Sequence, residues 1–548
     1  MKKIISMILC LMLVLSMATT AFAAEGDPSI TVPNDGHTYE VYQIFGGELH
    51  DGVLSNIVWG QNGTGVAETP VDADTLAALE AVVNSSNIGK LEVINDCVDF
   101  ESEPVATLPD GESLTVNVDP GYYLIKDKDD TVTGHDAYTT YIVEIVGNVT
   151  IAPKASVPEV DKVILDYEDE VKVNEAAIGE DVNYKITGTL PATLADYKEY
   201  FYRFNDTLSK GLTYNDDMTV SVVNGTSSVD VTKYFYIAAS EYDEEDGTDI
   251  TVAIGDLLAL NNIDITVDKD TLIVLEYSAV VNENAVINGA NPNVVDLDFS
   301  NDPNHSGEGT PDGETPPPPP EYPDEEPEVK YPIGTTPPSE VETYVTEVHI
   351  EKVDGDLKAL EGASFEIYGT ALKTVIVTTE TYTEDENGTY WKLTDGTFTP
   401  DDPAAEGMDQ TKYESTTVKY SVTVNEEVVV TGEEFKAEAA VGTDGKLTFT
   451  GLPAGTYTVT ETVTPAGYNS IGEIYLEVTF DAEEKSFAYE WTGAVQGSGD
   501  TIQVVNQAGS TLPETGGIGT TLFYIFGTIM VLGAAVLLIT KKRMSIAE

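Results

Sequence analysis

A chain of 548 residues with 95 Asp and Glu against 27 Lys and Arg has a formal charge of −68. Such a chain repels nucleic acid and anionic lipid, so no nucleic-acid partner is expected. The five histidines (His37, His50, His135, His305 and His349) are scattered without metal-ligand spacing, and no Ser/His/Asp arrangement is evident. No metal, no other cofactor and no turnover enzyme are therefore expected.

The first 24 residues read as a signal peptide: Lys2 and Lys3, an apolar stretch Ile4–Met17, then the small-residue cleavage site in "TTAFAA". Cys10 leaves with it, so the mature chain keeps Cys97 alone and no intramolecular disulfide can form. The body has no long helical periodicity. Val, Thr and Tyr alternate in short runs between Gly, Asn and Asp turns, which predicts an all-β fold of about three tandem immunoglobulin-like β-sandwich modules. The first is expected over 25–153. It has one helix, Asp72–Ser86, capped by Asp72, with Leu76, Leu79 and Val83 on one face. The second is expected over 154–311. Residues 312–342 are too rich in Pro to pack and read as an extended, semi-rigid linker. The third is expected over 343–508, with an extra β element inserted at about 375–440. The tail, 509–548, holds "LPETG", an apolar run of 23 residues (Ile518–Thr540) and Lys541, Lys542 and Arg543. That run suffices for a transmembrane helix, which needs about 20 residues. Its basic end should stay cytoplasmic.

"LPETG" at Leu512, Pro513, Glu514, Thr515 and Gly516, followed by a span and a basic tail, resembles the sorting signal of Gram-positive surface proteins. The resemblance implies that a membrane sortase cuts between Thr515 and Gly516. It would hold the Thr515 carbonyl as a thioester and pass it to an amine. The span is then a temporary tether. The expected place is the cell wall, after a transient membrane stage.

The third module opens "VHIEKVDGDLKALEGASFEIYG" and closes "LTFTGLPAGTYTVTETVTPAGYNSI" and "TIQVVNQ". It is similar to the collagen-adhesin B-type domain, a prealbumin-like β-sandwich. In that family a first-strand Lys bonds its amine to a last-strand Asn side chain with the help of an acid. The matching residues here are Lys352, Asn506 and Glu461. Only a neutral amine can attack, and burial disfavours both the charged amine and the charged carboxyl. A protonated acid can then polarise the carboxamide and relay the proton to departing ammonia. Strand alternation puts Val348, Ile350 and Lys352 on one face.

The second module resembles the isopeptide-forming, collagen-adhesin A-like domain of sortase-assembled shaft pilins. Its motifs are "VPEVDKVILDY", "FNDTLSKGL" and "FSNDP". By motif the amine is Lys162, the acid Asp206 and the acceptor Asn301; Lys172 is an alternative amine, and an ordinary turn aspartate an alternative reading of Asp206. The first module shows no assignable triad. In shaft pilins the thioester is attacked by a lysine of the next subunit, usually in "Tyr-Pro-Lys" at the junction of the first two modules. "VTIAPKASVPEV" offers Lys154 there, with Ala152 where the family has Tyr, and a plain linker lysine as the other reading. The resemblance as a whole implies a structural shaft subunit whose own chemistry is limited to self-cross-linking. Its partners would be pilus-type and housekeeping sortases, identical subunits, a peptidoglycan precursor, and minor pilins or host ligands. The rival reading is a wall-anchored monomeric adhesin for a host or matrix ligand.

Overall fold

The computed structural model describes residues 28–508 except 33–35, 51–52, 83–86, 110–113, 133, 152–155, 168, 308–316 and 431–435, and beyond them residues 526 and 528–531. The expected signal peptide and nearly all of the expected span lie outside the described residues. The fold is the expected all-β one, in two compact units. The first holds the residues to Thr346 with 451–453 and 480–487, and the second holds the rest.

In the first module, strand Tyr39–His50 pairs with Val53–Trp59 and Gly121–Asp127, and Thr140–Ile145 pairs with the last of these. Alternation sends successive residues to opposite faces. Both faces are buried: Tyr39, Val41, Ile125 and Tyr141 enter one core, and Ile44, Leu124 and Ile142 the other. Two helices close the second core. Asp72 caps the first, Ala73–Ala81, by accepting the Thr75 N–H at 2.9 Å. The second, Asn87–Asn95, was not foreseen. It has Gly89 in its first turn and little apolar stripe, and it is held by packing of Leu91 and Ile94 rather than by propensity.

The second module is a sandwich of two sheets of seven strands each. One sheet includes Val160–Asp166, Asp181–Gly188 and Leu272–Val281; the other includes Tyr202–Leu208, Thr248–Ile254 and Ala290–Ser300. The Pro-rich stretch departs from expectation. Residues 317–332 form no strand, but Ile333–Thr335 and Ser339–Tyr344 both pair with Ala290–Ser300. Pro332, Pro337 and Pro338 stand just outside these strands, where a missing N–H breaks no ladder. The segment before them also lies along the module, through Lys233–Glu321 at 2.7 Å and Arg203–Glu326 at 2.6 Å.

The third module has a six-stranded and a five-stranded sheet. Thr346–Asp354 runs parallel to Thr501–Asn506 in the first. The expected insertion is a ribbon in which Thr374–Glu384 pairs with Tyr420–Val430 along its full length. Val375 and Val377 at its base are buried, where it also pairs with Lys446–Leu452.

Because Val341, Tyr344 and Val345 are buried, the end of the Pro-rich stretch belongs to the second module's core. A chain truncated after residue 316 should melt at a lower temperature than one ending at Thr346. Equal melting temperatures by calorimetry would show that these strands contribute nothing.

Candidate intramolecular cross-link sites

Lys162 lies on a strand whose alternation turns it inward beside Ile164, and it is 0% exposed. Its Nζ donates to Asp206 Oδ1, to Asn293 Oδ1 and, at 2.9 Å, to the Tyr277 hydroxyl. Asp206 comes from the opposite sheet and is 1% exposed. It pairs with Val295 across the ladder, so Asn293, two residues away on the same face, is its diagonal neighbour. Asn293 is 0% exposed. Its Nδ2 donates to the Tyr277 hydroxyl at 2.6 Å, and that hydroxyl donates to Asp206 Oδ2 at 2.5 Å. Burial draws the Lys162 amine down to about 8, against the opposing pull of Asp206.

Lys162 and Asp206 thus meet, but Asn301 does not join them. Asn293 stands in the acceptor position instead. Asn301 follows the end of its strand at Ser300, roughly 26 Å farther along an extended chain. It serves the junction with the first module: its Nδ2 donates to the Asp136 carbonyl at 3.1 Å, and its own carbonyl accepts from the Tyr138 N–H at 2.7 Å. Lys172 is no substitute for Lys162. Its side chain is 47% exposed, and its amine pairs with Asp161 at 2.6 Å. Two site residues were thus missed in the sequence. Asn293 could have been found by alternation, since Asn293, Val295, Leu297 and Phe299 form one inward row. Tyr277 has no comparable signal, being one tyrosine in an apolar strand.

In the third module the three expected residues do converge. Val348, Ile350 and Lys352 are all 0% exposed, as alternation requires. The Lys352 amine donates to the carbonyl of Val504 at 3.0 Å and to that of Val353 at 3.1 Å. Val504 is opposite Lys352 in the parallel ladder, and Asn506 lies two residues on, facing the same core. Asn506 Nδ2 donates to Glu461 Oε1 at 2.8 Å, and Glu461 Oε2 accepts from Thr464 at 2.9 Å. Asn506 Oδ1 is buried without a hydrogen-bond partner, which leaves a carbonyl oxygen desolvated and uncompensated. Burial brings the Lys352 amine down to about 8, opposed by Glu461 and Asp354.

Both sites therefore present a buried amine and a buried carboxamide with an acid beside them. That is the set a direct amine-for-ammonia exchange needs. Among the described residues no group of His, Cys, Asp and Glu is arranged to hold a metal ion. Lys154 and Leu512–Gly516 lie outside the described residues.

Residues 178–303 match the Gram-positive pilin backbone subunit 2, Cna-B-like domain. The second-module motifs had suggested the A-type sandwich. Residues 417–494 match the prealbumin-like fold domain, and residues 504–545 the LPXTG cell wall anchor motif. The trypsin-resistant surface T6 protein of Streptococcus pyogenes serotype M6 is 25% identical over 418 residues, which cover 73% of this chain and 71% of that protein. Two solved structures align at 15% identity. The T6 backbone pilin of S. pyogenes covers 89% of this chain and 100% of its own, with a TM-score of 0.43. The Corynebacterium diphtheriae major pilin SpaA covers 88% and 100%, with a TM-score of 0.41. A pilin-backbone domain, a prealbumin-like domain and a wall-anchor motif follow one another here, and a streptococcal surface protein is related over most of the chain; this protein is a sortase-assembled, wall-anchored shaft pilin of the Gram-positive cell surface.

Proposed function

We propose that the shaft subunit staples itself with two intramolecular amide bonds, Lys162–Asn293 and Lys352–Asn506, assisted by Asp206 and Glu461. We further propose that it joins the next subunit through Thr515 and Lys154. The observation that carries the first part is the burial of two lysine amines against an acid and an asparagine side chain. An unreacted Lys in such a place is costly, because desolvation penalises its charge and one acid compensates only in part. In each reaction the amine nitrogen bonds to the asparagine Cγ, the Cγ–Nδ2 bond breaks, and one amine proton leaves with the nitrogen as ammonia. No external oxidant or energy source is needed. Each bond closes a loop of more than 100 residues. On the disulfide-loop model such a closure stabilises by about 5 kcal/mol through the unfolded state.

The second part rests on the anchor motif and on the place of Lys154 after a proline, at the boundary of the first two modules. Pilus-type sortase would supply the acyl-enzyme, a neighbouring subunit the amine, and a peptidoglycan precursor the final acceptor. Donor and acceptor are unlike surfaces, so joining them generates an open fibre rather than a closed ring. The subunit's role is structural, and each of its own reactions occurs once.

The mature protein should weigh less than its sequence by two ammonia molecules. Lys352→Ala or Asn506→Ala should restore one, Lys162→Ala or Asn293→Ala the other, while Asn301→Ala should restore neither. Intact mass spectra decide this, and an undiminished wild-type mass would refute both bonds.

Lys352 left unreacted in Asn506→Ala should make stability pH-dependent. Its folded-state pKa, about 8, is below that of an unfolded Lys, about 10.4. Between those values the unfolded chain binds more protons, so stability should rise as pH climbs from about 8 to about 10.5. The double variant with Lys352→Met should lack that rise in denaturant titrations; identical pH profiles would contradict a buried amine.

Lys154→Arg keeps the charge but removes a usable nucleophile. It should collapse the detergent-resistant high-mass ladder of wall extracts to monomer while leaving secretion and both mass deficits intact. A persisting ladder would mean another acceptor. Lys162 is excluded from that role by its burial.

A further inference from the structure

The acids of the two sites do not reach the departing nitrogen in the same way. In the third module Glu461 accepts directly from Asn506 Nδ2, at 2.8 Å. In the second module the shorter Asp206 contacts the amine of Lys162, and the Tyr277 hydroxyl lies between it and Asn293 Nδ2. That hydroxyl is saturated. It donates to Asp206 Oδ2 at 2.5 Å and accepts from Asn293 Nδ2 at 2.6 Å and Lys162 Nζ at 2.9 Å. One donor and two acceptor positions are all a phenol has. The ring packs against Tyr184 at 5.2 Å and Tyr214 at 5.6 Å between centroids. The residue is 4% exposed, so no solvent stands in for its hydroxyl.

We propose that Tyr277 is a catalytic residue of the second-module cross-link, relaying the proton from Asp206 to the departing nitrogen of Asn293. The proposal rests on the cross-linking reading above. Lys162 Nζ attacks Asn293 Cγ and gives a proton to Asp206 Oδ1. The protonated carboxyl then turns its O–H toward the Tyr277 oxygen, the tyrosine hydroxyl swings from Asp206 to Nδ2, and its proton passes to that nitrogen as the phenol oxygen takes the carboxyl's. This nitrogen has gained a lone pair in the tetrahedral intermediate. The Cγ–Nδ2 bond breaks, ammonia leaves, and Tyr277 and Asp206 end in their starting protonation states. One proton leaves the amine and one reaches the ammonia, so the step balances. The third module needs no such intermediary because Glu is one methylene longer than Asp.

The test follows both cross-links in one full-length chain after a pulse of synthesis, by mass mapping of the joined Lys162–Asn293 and Lys352–Asn506 peptides. Tyr277→Phe keeps the ring and its packing but removes the relay. It should slow the second-module bond at least tenfold, since proton transfer by a positioned group contributes on the order of 10²–10⁴. The third-module bond should keep its wild-type time course. Adding Asp206→Glu to Tyr277→Phe should restore much of the rate by carrying the acid directly to the nitrogen, a rescue that a packing role does not predict. An unchanged second-module rate in Tyr277→Phe would overturn the relay, and so would an equal slowing in both modules, which marks a folding defect. Absence of the Lys162–Asn293 bond in the wild type would instead overturn the cross-linking reading itself, and the relay with it.

Discussion

A lysine amine held out of water between apolar β-strands is the constraint on which the cross-link sites depend. Lys162 and Lys352 are 0% exposed, and in both, burial outweighs the nearby acid and draws the amine down to about 8. A charge so placed has no solvent to stabilise it, and one carboxylate offsets only part of that penalty. Conversion to an amide would remove the ionisable amine and leave a neutral group. The unfavourable starting state and the proposed reactivity would thus have one cause. It exists only once the sheets have closed, so cross-linking would follow folding rather than precede it.

The two sites bring the same residue types together in different sandwich geometry. In the second module the lysine lies in one sheet and the acid and asparagine in the other. A bond there fastens the two layers. In the third module Thr346–Asp354 and Thr501–Asn506 are parallel neighbours in one sheet. A bond there locks the first strand to the last and closes the module's chain path. For a shaft subunit loaded along its length both bonds would resist extension, one by preventing the layers from parting and the other by keeping the terminal strands together. Cys97 is buried and unpaired among the described residues, with its thiol pushed up to about 11 mainly by that burial, so no disulfide there provides such reinforcement.

Local pattern served well wherever one strand's alternation decided the matter. Lys352 among Val348 and Ile350 was legible because period-2 geometry leaves a first-strand residue only two faces. The same geometry marks Asn293 in the inward row Asn293, Val295, Leu297 and Phe299, whereas Asn301 of "FSNDP" follows the end of that strand. The Pro-rich stretch misled for a related reason. Composition averages over it, but the prolines flank Ile333–Thr335 and Ser339–Tyr344 without interrupting them.

From the sequence alone came the β class, the sorting signal, the strongly negative charge, and the residue types able to form an amide without a cofactor. These are properties of composition, short-range period and contiguous motifs, which do not depend on distant parts of the chain. Only the tertiary structure decided which asparagine faces Lys162, that Tyr277 joins the group, and that Asn301 belongs to the junction with the first module. Lys162, Asp206, Tyr277 and Asn293 come from four strands of two sheets, up to 131 positions apart. Their meeting depends on strand order and on how one sheet lies over the other, which no local periodicity encodes.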